Sequence, residues 1–196
     1  IVYASEIYRG EISGYSIRDT ANPVYLGGAQ TPFEFTHNAW LSDDSKVVYT
    51  TDEVADAFIG AYDISNWNNV VELDRWRPAA TEGRGVIPHN VHVHNDYLVI
   101  SHYTDGVIVV DAARPDNLIE VGNYDTWTGA DGGFNGAWGA YPFLPSGQVL
   151  VSDRQTGLYV LEPNYVRGCY IEGDVVDALT GDPIRNAVVK ISSEEI

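Results

Sequence analysis

The sequence has one cysteine, no methionine and two lysines among its 196 residues. With Cys169 as the single cysteine, an internal disulfide and a metal site built from several cysteines are excluded. No apolar run approaches the roughly 18 residues of a membrane-spanning helix, so we expect no transmembrane segment. The chain begins without methionine and without a basic and then apolar signal segment, which predicts that the natural start lies upstream of Ile1.

Positive charge is also scarce. The sequence has 11 basic and 28 acidic residues, and its formal net charge is -17. A surface of this sign repels phosphate backbones, so nucleic acid is not expected as a partner. The charge suits association with cations. We favour the simpler interpretation, a solvated acidic surface without a specific partner, because net charge acts on solubility before function.

Common catalytic motifs are missing as well. The sequence contains neither a Gly-x-Ser-x-Gly nucleophile elbow nor a glycine-rich motif for binding nucleotide phosphates. No segment keeps a 3.6-residue apolar period, which excludes a helical solenoid. These absences favour binding over catalysis.

What the sequence does contain is a repeat of 45 to 52 residues, measured from His37 to His89 and from Asn90 to Asn135. Each complete unit has four short runs rich in Val, Ile, Tyr and Leu, separated by the turn formers Asp, Asn, Gly and Pro. The runs are residues 1–6, 11–18, 24–27; 35–40, 46–52, 58–65, 70–76; 87–92, 97–102, 107–111, 118–124; and 133–138, 148–153, 157–161. Four strands at this period predict the blades of a β-propeller.

We therefore predict an all-β fold in which residues 1–163 form a partial β-propeller of about three and a half four-stranded blades. The first blade lacks its first strand in this alignment. A closed ring has at least about four blades and commonly more, so we expect further residues to complete it.

Two motifs add a family resemblance. Residues 106–111, Gly-Val-Ile-Val-Val-Asp, followed by residues 117–122, resemble the LVIVD repeat. The order of the His-Asn pairs at 37–38 and 89–90 and of residues 134–138, closed by residues 151–153, resembles the choice-of-anchor B group of LVIVD proteins. The resemblance covers residues 1–162 and departs from the usual Asp-Pro turn at residues 67–69. It implies a secreted or surface-attached bacterial propeller, and it assigns no catalytic residue.

After Pro163 the pattern changes, and residues 170–177 and 187–191 are predicted strands around a turn at 178–183. The arrangement Gly-x-Val-x-Asp-x-x-Thr-Gly-x-Pro-Ile from Gly173 to Ile184 resembles carboxypeptidase regulatory-like domains. This resemblance implies that residues 164–196 begin a small, non-enzymatic Ig-like β-sandwich. Two strands cannot hold a core, so we expect the sandwich to continue past Ile196 and surface anchoring to depend on such C-terminal modules.

The recurring His-Asn pairs are the candidate ligand site. First strands of propeller blades line the central channel, so His37, Asn38, His89, Asn90 and Asn135 are expected at one rim of it. There, imidazole and amide groups could bind a small ligand or a divalent cation. The alternative, which we favour, is that each pair bonds the backbone of the neighbouring blade.

Two further positions recur in the alignment. The first, three residues on, holds Trp40, His92 and Trp138, so His92 is expected to pack between blades although it forms a His-x-His pair with His94. The second follows a hydroxyl at the end of the second strand. It is occupied by Glu6, Asp52, His102 and Asp153. Carboxylates in a ring suit a hard cation, but we favour their use as caps of turns. Among these, Asp52, His102 and Asp153 join His37 and His89 as weak metal-ligand candidates.

The leading functional hypothesis is a non-catalytic scaffold, secreted or on the cell surface, whose loops bind protein or glycan partners. The Asp- and Gly-rich loop at residues 125–133 is one such loop. The first alternative is a metal-dependent enzyme that uses His37 and His89 at the channel rim. The second is an architectural component of a surface assembly.

Overall fold

The computed structural model describes residues 1–171 and 173–189. In these residues the secondary structure is all β. The strands are β1 (Val2–Glu6), β2 (Glu11–Ser16), β3 (Val24–Gln30), β4 (Thr36–Leu41), β5 (Val47–Asp52), β6 (Ile59–Asp63), β7 (Val71–Trp76), β8 (Asn90–His94), β9 (Tyr97–Ser101), β10 (Val107–Asp111), β11 (Ile119–Tyr124), β12 (Ala137–Tyr141), β13 (Val149–Asp153) and β14 (Gly157–Leu161). No helix long and apolar enough to cross a membrane occurs in this part of the chain.

The strands form four antiparallel sheets that resemble propeller blades, with orders β1-β2-β3, β4-β5-β6-β7, β8-β9-β10-β11 and β12-β13-β14. We number these sheets blades 1 to 4. The all-β class and the repeated antiparallel unit are confirmed, because each predicted run in residues 1–161 overlaps one strand. The largest displacement is at β12, predicted at 133–138 and found at Ala137–Tyr141.

The core lies in layers between blades, and strand alternation explains why. Successive side chains of a strand point to opposite faces, so a strand between two neighbouring blades is apolar on both sides. In β5, Val47 and Tyr49 pack in a cluster with blade 3. Val48, between them, packs with Ile12 of blade 1. The whole of β5 is consequently buried.

Trp67, in the turn that departs from the LVIVD pattern, fills the space between blades 1 and 2. Its ring lies 5.7 Å from that of Tyr3, measured between centroids. A Cβ atom on Gly14 would lie 2.6 Å from the Trp67 ring, so the close packing needs glycine there. The unusual turn residue is thus part of the blade interface.

The first strands of blades 2, 3 and 4 lie side by side, with β4 against β8 and β8 against β12. They form the inner edge of the assembly, where a propeller has its channel. In blade 1, β1 contacts β4 in the way that β9 contacts β12. This matches the predicted alignment, in which Val2–Glu6 is a second strand.

After β14 the chain crosses back to blade 3. The Tyr165 and Tyr97 rings lie 4.8 Å apart. Arg167 Nη1 donates to Asp111 Oδ1 at 2.8 Å, and the Gly168 N–H donates to Asp111 Oδ2 at 2.7 Å. This segment therefore leaves blade 4 with three strands in the described residues.

The predicted Ig-like sandwich does not appear in the described part of the tail. Residues 170–171 and 173–177 form no strand, and the pairing described there is one isolated bridge between Val176 and Pro183. Around it, Asp177 caps a turn by accepting the N–H groups of Leu179 and Thr180 at 2.8 and 2.9 Å. A turn between two short segments buries too little apolar surface to order a sheet. The end of the second predicted strand, residues 190–191, lies outside the described residues.

The contact of Asp111 with residues 167–168 is expected to stabilise the fold in a way that depends on pH. Burial raises the pKa of Asp111, but hydrogen bonds from Ala113, Gly168 and Arg167 outweigh it and lower the pKa overall. A lowered folded-state pKa contributes stability above the unfolded value of about 4, which is lost as the pH falls through the folded value. We expect Asp111→Asn to cost about 2 kcal/mol in the free energy of unfolding at pH 7.

The difference between wild type and Asp111→Asn should shrink as the pH is lowered below about 4. Urea unfolding at a series of pH values measures it. A difference that stays constant down to the acid limit would contradict the assignment.

Candidate metal centre

Three side chains occupy one equivalent position at the starts of the inner strands. A shift of register between Thr36 and Asn38 leaves His37 in a bulge, and a shift between Ala137 and Gly139 does the same for Trp138. In blade 3 the first pair of β8 is Asn90 with Ser101, so His89 precedes it at the matching place. His37, His89 and Trp138 are therefore equivalent residues of blades 2, 3 and 4.

This register corrects the alignment of blade 4. The sequence matched Asn135 to His37, three residues too early, because residues 134–138 resemble residues 35–40 by letter. Pairing with β13 fixes the true register, since Ala137 lies opposite Asp153 as Thr36 lies opposite Asp52. Tyr141 is consequently the equivalent of Trp40 and His92.

Hydrogen bonds between blades orient both imidazoles. His37 Nδ1 lies 3.4 Å from the carbonyl oxygen of His89, and His89 Nδ1 contacts the carbonyl oxygen of Trp138. A carbonyl oxygen accepts and does not donate, so each Nδ1 carries the hydrogen. In the neutral ring Nε2 then has the free lone pair. A hydrogen bond through one ring nitrogen is the usual way of orienting the other as a metal ligand.

The hydroxyls that end the second strands add to the same contacts. Thr51 Oγ1 donates to the His89 carbonyl at 2.5 Å, and Ser101 Oγ donates to that of Trp138 at 3.2 Å. Each of these two carbonyl oxygens thus receives donors from the preceding blade, which holds adjacent inner strands at a fixed distance.

A second equivalent position follows the end of each second strand and holds Glu53, Tyr103 and Arg154, because Asp52, His102 and Asp153 align. Tyr103 Oη donates to Glu53 Oε1 at 2.5 Å. Tyr103 has a φ of 40°, a backbone conformation that non-glycine residues rarely adopt. Such strain accumulates at functional positions, where surrounding contacts impose it.

His37, Glu53 and His89 converge, and we call them the rim site. His37 Nε2 lies 3.5 Å from Glu53 Oε2, and His89 Nε2 lies 3.6 Å from Glu53 Oε1. The three ligand atoms lie within 4.8 Å of one another. An ion bound tetrahedrally at about 2.1 Å separates its ligand atoms by about 3.4 Å, so these spacings match a first-row transition metal.

The charge state of the site also fits a cation. Burial lowers the pKa of His89, which keeps its imidazole neutral. The Nε2 lone pair then faces a carboxylate oxygen with no proton between them, an arrangement that a cation relieves. Burial and the hydrogen bond to Glu53 raise the pKa of Tyr103, which keeps its hydroxyl a donor. The side chains of His37 and Glu53 are 27% and 18% exposed, so an ion has a way in.

The other residues of the predicted rim site have different contacts. Asn38 Oδ1 accepts the Val91 N–H of the next blade at 3.0 Å, which is the blade-packing role. Asn90 places its own N–H 3.3 Å from Ser101 Oγ. Asn135 Oδ1 accepts from Gln155 Nε2 at 2.7 Å.

The weaker candidates Asp52 and Asp153 cap turns. Asp52 Oδ2 accepts the Phe33 N–H at 2.8 Å, and its Oδ1 accepts Thr31 Oγ1 at 2.6 Å. Asp153 Oδ2 likewise accepts Thr126 Oγ1 at 2.7 Å. Both threonines belong to loops that lead into inner strands, so each carboxylate ties that loop to its own blade.

His102 is the blade-3 equivalent of Asp52 and Asp153. In this blade the carboxylate belongs to Asp105, three residues after His102. His102 Nδ1 lies 3.1 Å from Asp105 Oδ2, and Thr81 Oγ1 donates to the same oxygen at 2.9 Å. The His-x-His pair serves packing, because His92 and His94 both contact the ring of Phe143, at 5.7 and 5.8 Å between centroids. His92 also lies 4.6 Å from Trp40.

Sequence reasoning missed Glu53, although the signal was present. Alternation places Glu53 on the same face as Thr51, whose hydroxyl reaches the His89 carbonyl. The sequence alignment selected Asp52, the residue directly after the recurring hydroxyl of Thr51. The residue that joins the site is Glu53, two positions after that hydroxyl.

Comparison with known proteins supports the fold and leaves the site open. No protein-family model and no curated protein sequence matches the chain. Among solved structures, the chain is similar to PpgL, the periplasmic gluconolactonase of Pseudomonas aeruginosa, with a TM-score of 0.63 and 14% identity. The match covers 92% of this chain and 48% of that protein, so the chain spans about half its length. At this identity the similarity shows that the chain has a β-propeller-like fold.

Proposed function

We propose that the protein is a metal-dependent hydrolase whose rim site binds one divalent transition-metal ion through His37 Nε2, His89 Nε2 and the Glu53 carboxylate. The observation that carries the proposal is the convergence of these ligand atoms within 4.8 Å, from two adjacent blades. Two imidazoles and a carboxylate are a ligand set of catalytic zinc sites, which keep a further position for water or substrate.

The reaction class follows from what such an ion supplies. A divalent ion polarises a carbonyl oxygen and lowers the pKa of a water molecule beside it. In the hydrolysis of an ester or lactone, the water oxygen adds to the carbonyl carbon and the acyl C–O bond breaks. The released alcohol oxygen takes the proton from that water. The gluconolactonase with the same fold makes lactones the first substrates to try.

Metal removal and replacement test the proposal. After treatment with a chelator, the protein is expected to bind one Zn²⁺ ion per chain in a calorimetric titration. Hydrolysis of D-glucono-1,4-lactone should be lost on chelation and restored by the ion. A protein that takes up no zinc, or one whose activity is indifferent to chelation, would contradict the proposal.

The second candidate is the interaction scaffold, and exposed aromatic side chains of blade 4 favour it. Phe134, Trp138 and Tyr141 are 49%, 53% and 48% exposed, and groups of exposed apolar side chains are a feature of interaction surfaces. Aromatic faces bind sugars and protein surfaces. A protein that binds surface glycans but no zinc would favour this function. An architectural role in a surface assembly stays a prediction.

The family and the location are part of the proposal. Membership of the choice-of-anchor B group of LVIVD proteins draws support from residues 107–111, which form β10 in the four-stranded blade 3. The periplasmic location of the similar gluconolactonase supports a place outside the cytoplasm. For a carboxypeptidase regulatory-like domain the support is the motif from Gly173 to Ile184, whose turn Asp177 caps.

A further inference from the structure

Arg154 is a positive group whose hydrogen bonds in the described residues go to no carboxylate, on a chain with 28 acidic residues. Its Nη1 donates to the carbonyl oxygen of Phe134, which leaves Nη2 and Nε free. Several other arginines pair with carboxylates, as Arg84 does with Asp131 at 3.1 Å and Arg75 with Glu72 at 2.5 Å. Arg154 therefore has guanidinium donors available to a ligand.

The position of Arg154 in the fold suggests what this guanidinium could bind. It is the blade-4 equivalent of Glu53 and Tyr103, so it continues the row that supplies the carboxylate of the rim site. Phe134, whose carbonyl it holds, has its ring 5.3 Å from that of Tyr103.

Trp138 takes the matching place beside His89. It is the blade-4 equivalent of His37 and His89, and its ring stacks on that of His89 at 5.2 Å between centroids. The ring is 53% exposed. Together with Ser152 and Asp153, Trp138 and Arg154 line a shallow depression. Blade 4 thus sets an aromatic face and a guanidinium next to the two ligand-bearing blades.

We propose that the rim site takes esters or lactones that carry a carboxylate apart from the bond to be cleaved, with Arg154 binding the carboxylate and Trp138 packing against the body of the substrate. The inference rests on the metal-dependent hydrolysis proposed above and names its substrate class. A guanidinium binds a carboxylate through two parallel N–H groups, which fixes orientation as well as charge. The indole face suits an apolar ring face.

The electrostatics agree with this assignment. The positive charge of Arg154 contributes to lowering the pKa of His89, after burial, and it opposes the rise in the pKa of Tyr103. Its field therefore reaches both residues beside the proposed ion. Elsewhere the net charge of -17 repels an anionic substrate, so a local positive group is needed to hold one at the site.

Two lactones that differ in one group test the inference. D-glucaro-1,4-lactone has a carboxylate where D-glucono-1,4-lactone has a hydroxymethyl group. We expect the zinc-loaded protein to prefer the former in kcat/KM by about 10-fold or more, the effect of a charge-assisted hydrogen bond. Arg154→Gln should remove most of this preference, whereas Arg154→Lys, which keeps the charge, should retain part of it.

Arg84→Gln is the matched control, because it removes another guanidinium from a neighbouring loop. It should leave the ratio between the two lactones unchanged. Binding provides a readout without turnover: calorimetric titration with D-glucarate and D-gluconate should show the same preference and the same loss in Arg154→Gln. Zinc uptake of each variant reports whether its site has folded. If Arg154→Gln fails to fold, the wild-type preference and Arg154→Lys decide.

The outcomes separate this inference from the proposed function. A protein that binds zinc and hydrolyses lactones but treats the two equally overturns the role of Arg154 and leaves the metal centre standing. The same holds if Arg154→Gln keeps the wild-type preference. A protein that binds no zinc overturns both.

Discussion

Replacing His89 by asparagine is expected to lower the affinity for Zn²⁺ at least about 100-fold, because the change removes a ligand and even orienting neighbours of metal ligands contribute 10- to 100-fold. Asparagine keeps an N–H at the place of Nδ1, through which His89 contacts the Trp138 carbonyl, and has no group at the place of Nε2. The loss is therefore assigned to Nε2, which faces Glu53 Oε1 at 3.6 Å. Calorimetric titration of the chelated protein with zinc measures it.

His94→Asn is the control for this change, since it makes the same substitution in the same blade. His94 lies beside Phe143 and Tyr165, and it stands outside the rim site. Its zinc affinity should equal that of the wild type. Equal losses in the two variants would show a general effect on blade 3, and wild-type affinity in His89→Asn would remove His89 from the ligand set.

Asp52→Asn is expected to lower the free energy of unfolding by about 3 kcal/mol, although the two side chains have the same shape. The Asp52 carboxylate is buried and accepts the N–H groups of Phe33 and Phe35, at 2.8 and 3.2 Å, as well as the hydroxyl of Thr31. An amide turns one acceptor into a donor, which leaves at least one buried donor facing another.

Asp44→Asn provides the comparison, because the Asp44 side chain is 56% exposed and its partner Lys46 is exposed as well. Exposed pairs contribute about 0 to 1 kcal/mol, so this variant should unfold close to the wild type in urea. If Asp52→Asn proved as mild as Asp44→Asn, the tie between residues 31–35 and blade 2 would not be a main support of the fold.

The blades could be predicted from sequence because their information is local. Runs such as 107–111, bounded by Gly106 and followed by a turn, have the composition and length of strands wherever they stand. Their recurrence at a fixed period then gives the architecture. The same reasoning placed His37 and His89 at one rim, and their rings do lie 4.7 Å apart.

The rest could not be predicted, since it depends on register and on contacts between blades. A bulge at His37 and another at Trp138 set which residues are equivalent, and bulges leave little trace in the order of letters. Glu53 joins the site through the geometry of two blades. In the tail, Arg167 binds Asp111 across 56 positions of sequence, a pairing that no local pattern announces.

The row formed by Glu53, Tyr103 and Arg154 has an evolutionary consequence. Repeated blades present one backbone position several times, and here the three copies carry an acid, a phenol and a base. A catalytic surface can then arise from a symmetric ancestor without any new backbone, through single-codon changes that assign a separate task to each copy. Exchanging such residues between copies is accordingly a direct way to move the proposed metal site from one pair of blades to the next.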